Sequence, residues 1–148
     1  MILDKLVAAT TARMAQEQAA VPLAVVQQQA QAFQGPAKPS FSAALQDHFG
    51  IIAEVKKASP SKGLIAADFP YREIAQDYTA AGVDAISVLT EPDYFHGDLR
   101  YLQAIAAASP KPVLRKDFVI DPYMLYQAKA NGASLVLLIV AILPYQQL

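Results

Sequence analysis

The sequence predicts an α/β fold with a parallel sheet, and three observations carry that prediction. First, AAGVDAISVLT (Ala80 to Thr90) and KANGASLVLLIV (Lys129 to Val140) share one plan: helix end, glycine, short polar step, wholly apolar strand. Second, strands this apolar on both faces belong in a parallel sheet covered by helices. Third, the punctuation is helical. Pro70 and Pro122 stand at helix starts, Pro122 behind a capping Asp121, and Gly82 and Gly132 stand at helix ends. Two architectures fit, an open doubly wound sheet or a (β/α)8 barrel. In both, ligands gather at the carboxyl ends of the strands.

In chain order, the first 33 residues are rich in Ala and Gln. Leu3, Leu6 and Val7 fall at helical spacing, as do Leu23, Val26 and Ala30, and Pro22 suits the first turn of a second helix. QGPAKPS (Gln34 to Ser40) reads as a turn and FSAALQ as a short helix. Residues 1–48 thus form a helical extension with little sign of chemistry, and residues 49–148 carry the alternating units. Strands are expected at Ile51 to Val55, Ala85 to Leu89, Pro112 to Lys116 and Ser134 to Ile142. Helices are expected at Tyr71 to Ala81, Leu99 to Ala108 and Pro122 to Ala130.

Composition narrows the function classes. The chain has 148 residues, room for one domain of ordinary size, and is 54% hydrophobic and 17% charged, so a substantial core is expected. A net charge of −1 without a Lys/Arg block lacks the electrostatic footprint of a nucleic-acid binder. Cysteine is absent, which excludes a disulfide framework and any thiolate ligand or nucleophile. The apolar run Leu135 to Leu143 is too short for a bilayer, which takes about 20 residues, and Asp4 interrupts the opening before any signal-peptide core. The expectation is a cytoplasmic protein with no membrane partner. His48 and His96 lie far apart without ligand spacing, so neither a metal site nor a triad is expected.

The chemistry-bearing residues sit where strands end. IIAEVKKASPSKG (Ile51 to Gly63) opens as a core strand and then presents Glu54, Lys56 and Lys57. Side chains alternate along a strand, so Glu54 and Lys56 share a face. In PVLRKDF, Lys116 and Phe118 share a face with Leu114, while Arg115 and Asp117 point oppositely. Glu91 and Phe95 follow the second strand and are expected at the same mouth. Ammonium groups among apolar walls serve as general acids or, when neutral, as Schiff-base nucleophiles, and a neighbouring carboxylate orients them. Two phenyl rings can sandwich a flat ring. Lys56, Lys62 and the backbone around Ser59 to Gly63 can hold an anion, although no P-loop is present. Taken singly, each has a plainer reading: solvated rim residues, loop-anchoring rings, serines that shape a turn at Pro60. Their shared placement at successive strand ends is the stronger argument.

The same stretches, with ISVLTEPDYFHGDLRYL, PVLRKDFVIDPYMLYQAKANGASLVLLIVAIL and the opening ILDKLVAATTARMA, resemble the indole-3-glycerol phosphate synthase family over nearly all 148 residues. The combination E-x-K-x-x-S-P-S, L-T-E-x-x-Y-F and L-x-K-D-F is highly specific; Lys57, where relatives often carry arginine, is a mild departure. The resemblance implies a (β/α)8 barrel and cofactor-free closure of an indole ring on a phosphorylated small-molecule substrate, with loss of CO2 and water. It implies Lys116 as general acid, Lys56 as anion holder and second acid, and Glu54 as their orienting partner in proton transfer. Ser59 would help bind an anionic group, and Phe95, Phe118 and Leu137 would line the aryl pocket.

Barrels of this type run to about 250 residues, and the family's second glutamate, an asparagine and its phosphate loops come from later strands. The expectation is therefore the first half of a barrel, with four parallel strands, free sheet edges open to self-association, and very little turnover by this chain alone. Rival readings are a Schiff-base aldolase with Lys116 as nucleophile and a half-barrel association module. A decarboxylase of the orotidine type would need Asp117 on the face of Lys116, which strand alternation opposes.

Overall fold

A computed structural model describes residues 2–148; Met1, the first residue of the expected extension, lies outside the described residues. Helices α1 (Ile2–Ala20), α2 (Leu23–Ala32) and α3 (Phe41–Ala44) precede strand β1 (Ile52–Val55). A hairpin of β2 (Ala58–Ser59) and β3 (Gly63–Leu64) follows, then α4 (Tyr71–Ala80), β4 (Ala85–Leu89), α5 (Pro92–Phe95) and α6 (Leu99–Ala108). The remaining elements are β5 (Val113–Lys116), α7 (Pro122–Ala130), β6 (Leu135–Val136) and 3-10 turns at Val140–Ile142 and Tyr145–Gln147.

The main sheet has the order β1-β4-β5-β6, and every pair is parallel. Spatial order follows chain order without the reversal that makes a doubly wound sheet, so of the two architectures the barrel arrangement is the one formed. Register places Glu54 beside Ser87, Ser87 beside Leu114 and Leu89 beside Lys116. These residues share the inner face. The outer face carries Val55, Ile86, Val88 and Val113, which pack on Ala75 of α4 and on Leu102, Ile105 and Ala106 of α6 in a fully buried core. Helix α2 lies along α7.

Local chemistry sets the boundaries. Asp121 accepts the Tyr123 N–H at 2.8 Å and Asp98 the Arg100 N–H at 2.8 Å, each capping the first turn of its helix. After α4 and α7 the chain reverses through Gly82 and Gly132, with φ of 83° and 87°, where a Cβ would be strained. Lys38 anchors the extension: its Nζ donates to the carbonyls of Ala106, Ser109 and Lys111 at 2.7, 2.6 and 3.2 Å, closing the carboxyl end of α6.

One predicted element is shorter than expected. Of Ser134 to Ile142 only Leu135–Val136 is strand, and Val140–Ile142 forms a 3-10 turn. The ladder pairs Leu114 with Leu135 and Arg115 with Val136, and β5 ends at Lys116, so residues beyond Leu137 meet no neighbouring strand. Ile51 and Ile52, at the start of β1, and Val140, in the turn beyond β6, are exposed. Among the described residues, no helix is long and apolar enough to cross a membrane.

Candidate active site

Glu54 is the hub. It stands near the end of β1, and its Oε1 accepts a hydrogen bond from Lys56 Nζ at 2.6 Å. Its Oε2 lies 3.6 Å from Lys116 Nζ, an ion pair slightly longer than a hydrogen bond. Strand β4 separates β1 from β5, so the inward curvature of the sheet brings Glu54 and Lys116 together across the small side chain of Ser87. All three charged groups are half-buried. One carboxylate thus spaces two ammonium groups at the carboxyl end of the sheet.

Lys116 also belongs to a second feature. With Leu89, Phe95, Asp117, Phe118, Leu137 and Ile139 it lines a cavity of about 40 Å³. The Phe95 and Phe118 rings sit 6.2 Å apart, inclined by 44°, and leave a wedge-shaped slot. Leu137 takes its place through its N–H, which donates to Arg115 O at 3.4 Å. Larger cavities occur elsewhere. A groove of about 290 Å³ between α4 and α6 has Arg72 as its one charged lining residue, and one of about 380 Å³ lies by Phe33 and Lys129. Neither gathers acid–base partners of opposite charge.

Ser59 lies on the hairpin rather than in the slot. Its Oγ accepts the Lys62 N–H at 3.3 Å and lies 3.5 Å from Ser61 Oγ, so in this structure it shapes the turn around Pro60, while β2 packs against α5. Lys62 is exposed on the same turn.

Glu91 corrects an expectation. It does not face the mouth: it is fully buried and caps α5, accepting N–H bonds from Asp93, Tyr94 and Phe95 at 3.1, 2.8 and 3.0 Å. The signal was present in TEPDYF, an acidic residue before a helix-starting proline.

Arg115 and Asp117 point outward, as alternation requires, and pair at 3.0 Å in a buried network. Arg115 also donates to Thr90 Oγ1, Met124 O and Gln127 Oε1 at 3.2, 2.9 and 2.8 Å. Burial holds this guanidinium below its ordinary pKa, against the opposing pull of Asp117. Asp117 is therefore not on the face of Lys116.

The extension is less inert than its composition implied. Arg13 of α1 reaches Asp117 Oδ1 at 3.1 Å and Glu91 Oε1 at 3.5 Å. Sequence reasoning missed it; Arg13 also lies 3.6 Å from Glu17, one helical turn further along α1. His48 lies near the opposite end of the sheet, bonded to Asp84 just before β4. Among the described residues, no group of three or more His, Asp or Glu is arranged to hold a metal ion.

Parallel strands in chain order, helices packed on the outer face, and an acid–base cluster beside an aromatic slot at the carboxyl ends define this chain as part of a (β/α)8 barrel. A family model for indole-3-glycerol phosphate synthase matches residues 3–148, and the chain belongs to that family. It is 58% identical to the indole-3-glycerol phosphate synthase of Lacticaseibacillus paracasei over 149 residues, covering 100% of this chain and 57% of that protein. The synthases of Lactiplantibacillus plantarum and Leuconostoc mesenteroides are 53% and 52% identical, with 56% and 58% of their lengths covered. The chain thus spans somewhat more than half the length of these relatives.

Proposed function

We propose that the chain supplies the first-half acid–base cluster of an indole-3-glycerol phosphate synthase. The substrate is 1-(o-carboxyphenylamino)-1-deoxyribulose 5-phosphate. Phe95, Phe118 and Leu137 hold its aryl ring, which supplies the orientation that ring closure needs. The ring carbon bearing the carboxylate attacks the ketone carbon, and Lys116 protonates the oxygen as negative charge develops there. General acid help of this kind is worth about 10²–10⁴ in rate. The carboxylate leaves as CO2, and its bonding electrons restore the aromatic ring. The new hydroxyl then departs as water with a proton from Lys56, and the adjacent carbon gives up a proton to complete the indole. Glu54 spaces and orients the two lysines and relays protons between them. Ser59, from the hairpin, contributes to anion binding.

One observation carries this reading: Glu54 contacts both ammonium groups, at 2.6 and 3.6 Å, and Lys116 also lines the aromatic slot. The partner is a phosphorylated small molecule in the cytoplasm, and the free edges of β1 and β6 are the surface for self-association, to be checked by light scattering. The test of the chemistry is calorimetric titration with a substrate analogue whose ketone is reduced to an alcohol. Affinity should fall about tenfold or more in Lys116→Met and Phe118→Ala, as loss of a charge-assisted hydrogen bond or an aromatic wall requires. Unchanged affinity in both variants, or a borohydride-trapped substrate adduct on Lys116, overturns the assignment.

A further inference from the structure

We propose that Arg13 is a positioning residue that sets the aromatic slot by holding together the two carboxylates to which the slot's walls are tied. Each wall is fastened through its own backbone N–H. The Phe95 N–H donates to Glu91 Oε2 at 3.0 Å, and the Phe118 N–H donates to Asp117 Oδ1 at 2.9 Å. Both carboxylates are buried. They come from different segments, Glu91 at the start of α5 and Asp117 just beyond β5.

Arg13 joins them. Its side chain is 15% exposed, with Nη1 3.5 Å from Glu91 Oε1 and Nη2 3.1 Å from Asp117 Oδ1. The same guanidinium touches Asp93 Oδ2 at 3.5 Å and Glu17 Oε1 at 3.6 Å. The planar fork of an arginine suits this task, because two carboxylates bound to one guanidinium keep a fixed separation and orientation. Asp117 has a second cation, Arg115 at 3.0 Å, and a hydroxyl donor, Thr90 at 2.7 Å. Among the described residues, the cation in contact with Glu91 is Arg13.

Without the guanidinium, two buried carboxylates would face one another across a gap, and like charge would drive the segments apart. The separation of Phe95 and Phe118 follows from that of Glu91 and Asp117. The Glu54, Lys56 and Lys116 cluster lies on the inner face and has no contact with Arg13. Helix α1 therefore tunes the slot and leaves the proton-transfer groups in place. That the slot takes an aryl ring rests on the function proposed above; the positioning role itself does not.

The experiment compares the full chain with Arg13→Met, Arg13→Lys and Tyr123→Phe. The last removes a hydroxyl that donates to Glu17 O and Val21 O at 3.3 and 3.0 Å, so it loosens the docking of α1 without touching either carboxylate. Amide hydrogen exchange at Phe95 and Phe118, read by ¹⁵N NMR, reports the slot with no ligand present. Anthranilate, followed by its own fluorescence, probes the aryl site.

In Arg13→Met both amides should exchange about tenfold faster, the scale of one charge-assisted hydrogen bond lost. Arg13→Lys, a point charge without the fork, should restore only part of the protection, and Tyr123→Phe should leave both amides as in the parent. Anthranilate affinity should follow the two amides across the series. Failure of the parent to bind anthranilate while the amides respond as stated would overturn the aryl reading and uphold the positioning role. Unchanged amides in Arg13→Met, or an equal response in Tyr123→Phe, would overturn the positioning role whatever anthranilate does.

Discussion

Arg115 and Lys116 are neighbours in sequence with opposite physical tasks, and substituting each by methionine separates those tasks. The Arg115 and Asp117 side chains are 2% and 1% exposed, and Arg115 makes hydrogen bonds to Thr90, Met124, Gln127 and Asp117. Methionine fills much of the same volume but leaves the Met124 carbonyl and the Gln127 side chain without their donor. Breaking a buried ion pair from one side costs about 3–5 kcal/mol. Asp117 keeps Arg13, Thr90 and the Phe118 N–H, so the lower end, about 3 kcal/mol, is expected for Arg115→Met. The Lys116 and Glu54 side chains are 35% and 29% exposed and 3.6 Å apart. A solvated pair of that kind contributes about 0–1 kcal/mol, so Lys116→Met should be nearly neutral for stability. Urea unfolding of the parent and both variants measures the difference, with an unchanged m-value showing that the unfolding reaction is the same. Equal losses, or a greater loss in Lys116→Met, would refute the assignment of the two side chains to opposite faces of β5.

Three further outcomes follow from local geometry. His48 places Nε2 2.8 Å from Asp84 Oδ1 and Nδ1 2.8 Å from Gln46 O, so both ring nitrogens donate and the imidazolium is favoured. Its pKa is raised, chiefly by the Asp84 hydrogen bond and next by Gln46, with Lys111 opposing; that of Asp84 is lowered, chiefly by the Ile51 N–H and next by His48. The His48 contribution is therefore complete below its ordinary value of 6.5 and lost as pH rises through its raised folded value. The Asp84 contribution is complete above its ordinary 3.8 and lost as pH falls through its depressed folded value. The stability difference between the parent and His48→Gln should be greatest between those limits and fade at alkaline pH; a pH-independent difference contradicts the clamp. Gly97→Ala would set a Cβ 2.5 Å from Leu89 O and 2.8 Å from the Glu91 nitrogen, so thermal unfolding should show a loss of about 1–3 kcal/mol. Lys38→Met leaves three carbonyls, of Ala106 in the last turn of α6 and of Ser109 and Lys111 beyond it, without their shared donor and should cost about 1–3 kcal/mol by urea titration, with faster exchange of the α6 amides.

The elements with strong periodicity and capping residues were legible in the sequence. Ala85–Leu89, Leu99–Ala108 and Pro122–Ala130 have the boundaries expected of them, because the apolar period, Asp121 and the helix-ending glycines all act within a few residues. The overlong fourth strand shows the limit. An apolar run states a tendency to burial, not that a partner strand lies alongside; beyond Leu137 the ladder has no partner, and Leu138 and Val140 are exposed. The β2–β3 hairpin and α5 escaped notice because elements of two to four residues depend on single contacts, such as the Glu91 cap. Glu54, Lys56 and Lys116 were legible as one cluster because alternation is a strict rule of strands. Arg13 was not, since its partners lie 78 and 104 residues away and no local pattern encodes them.

The alternation that made the cluster readable also explains how β5 tolerates three consecutive charges, Arg115, Lys116 and Asp117. Two of them, outward and buried, satisfy one another and the Met124 carbonyl of α7, so they hold the strand end in place. The third, inward and half-exposed, meets the Glu54 carboxylate at 3.6 Å and lines the aromatic slot. Rigidity is thus supplied from one face of the strand, and the group proposed as general acid stands on the other. A group that must change protonation state cannot also be the buried ion on which the fold depends, since each change would carry the several kcal/mol of an unpaired interior charge. Docking the helical extension onto the outward pair extends the same division of labour: Arg13 reaches the carboxylates that fasten the phenyl walls and makes no contact with Lys116.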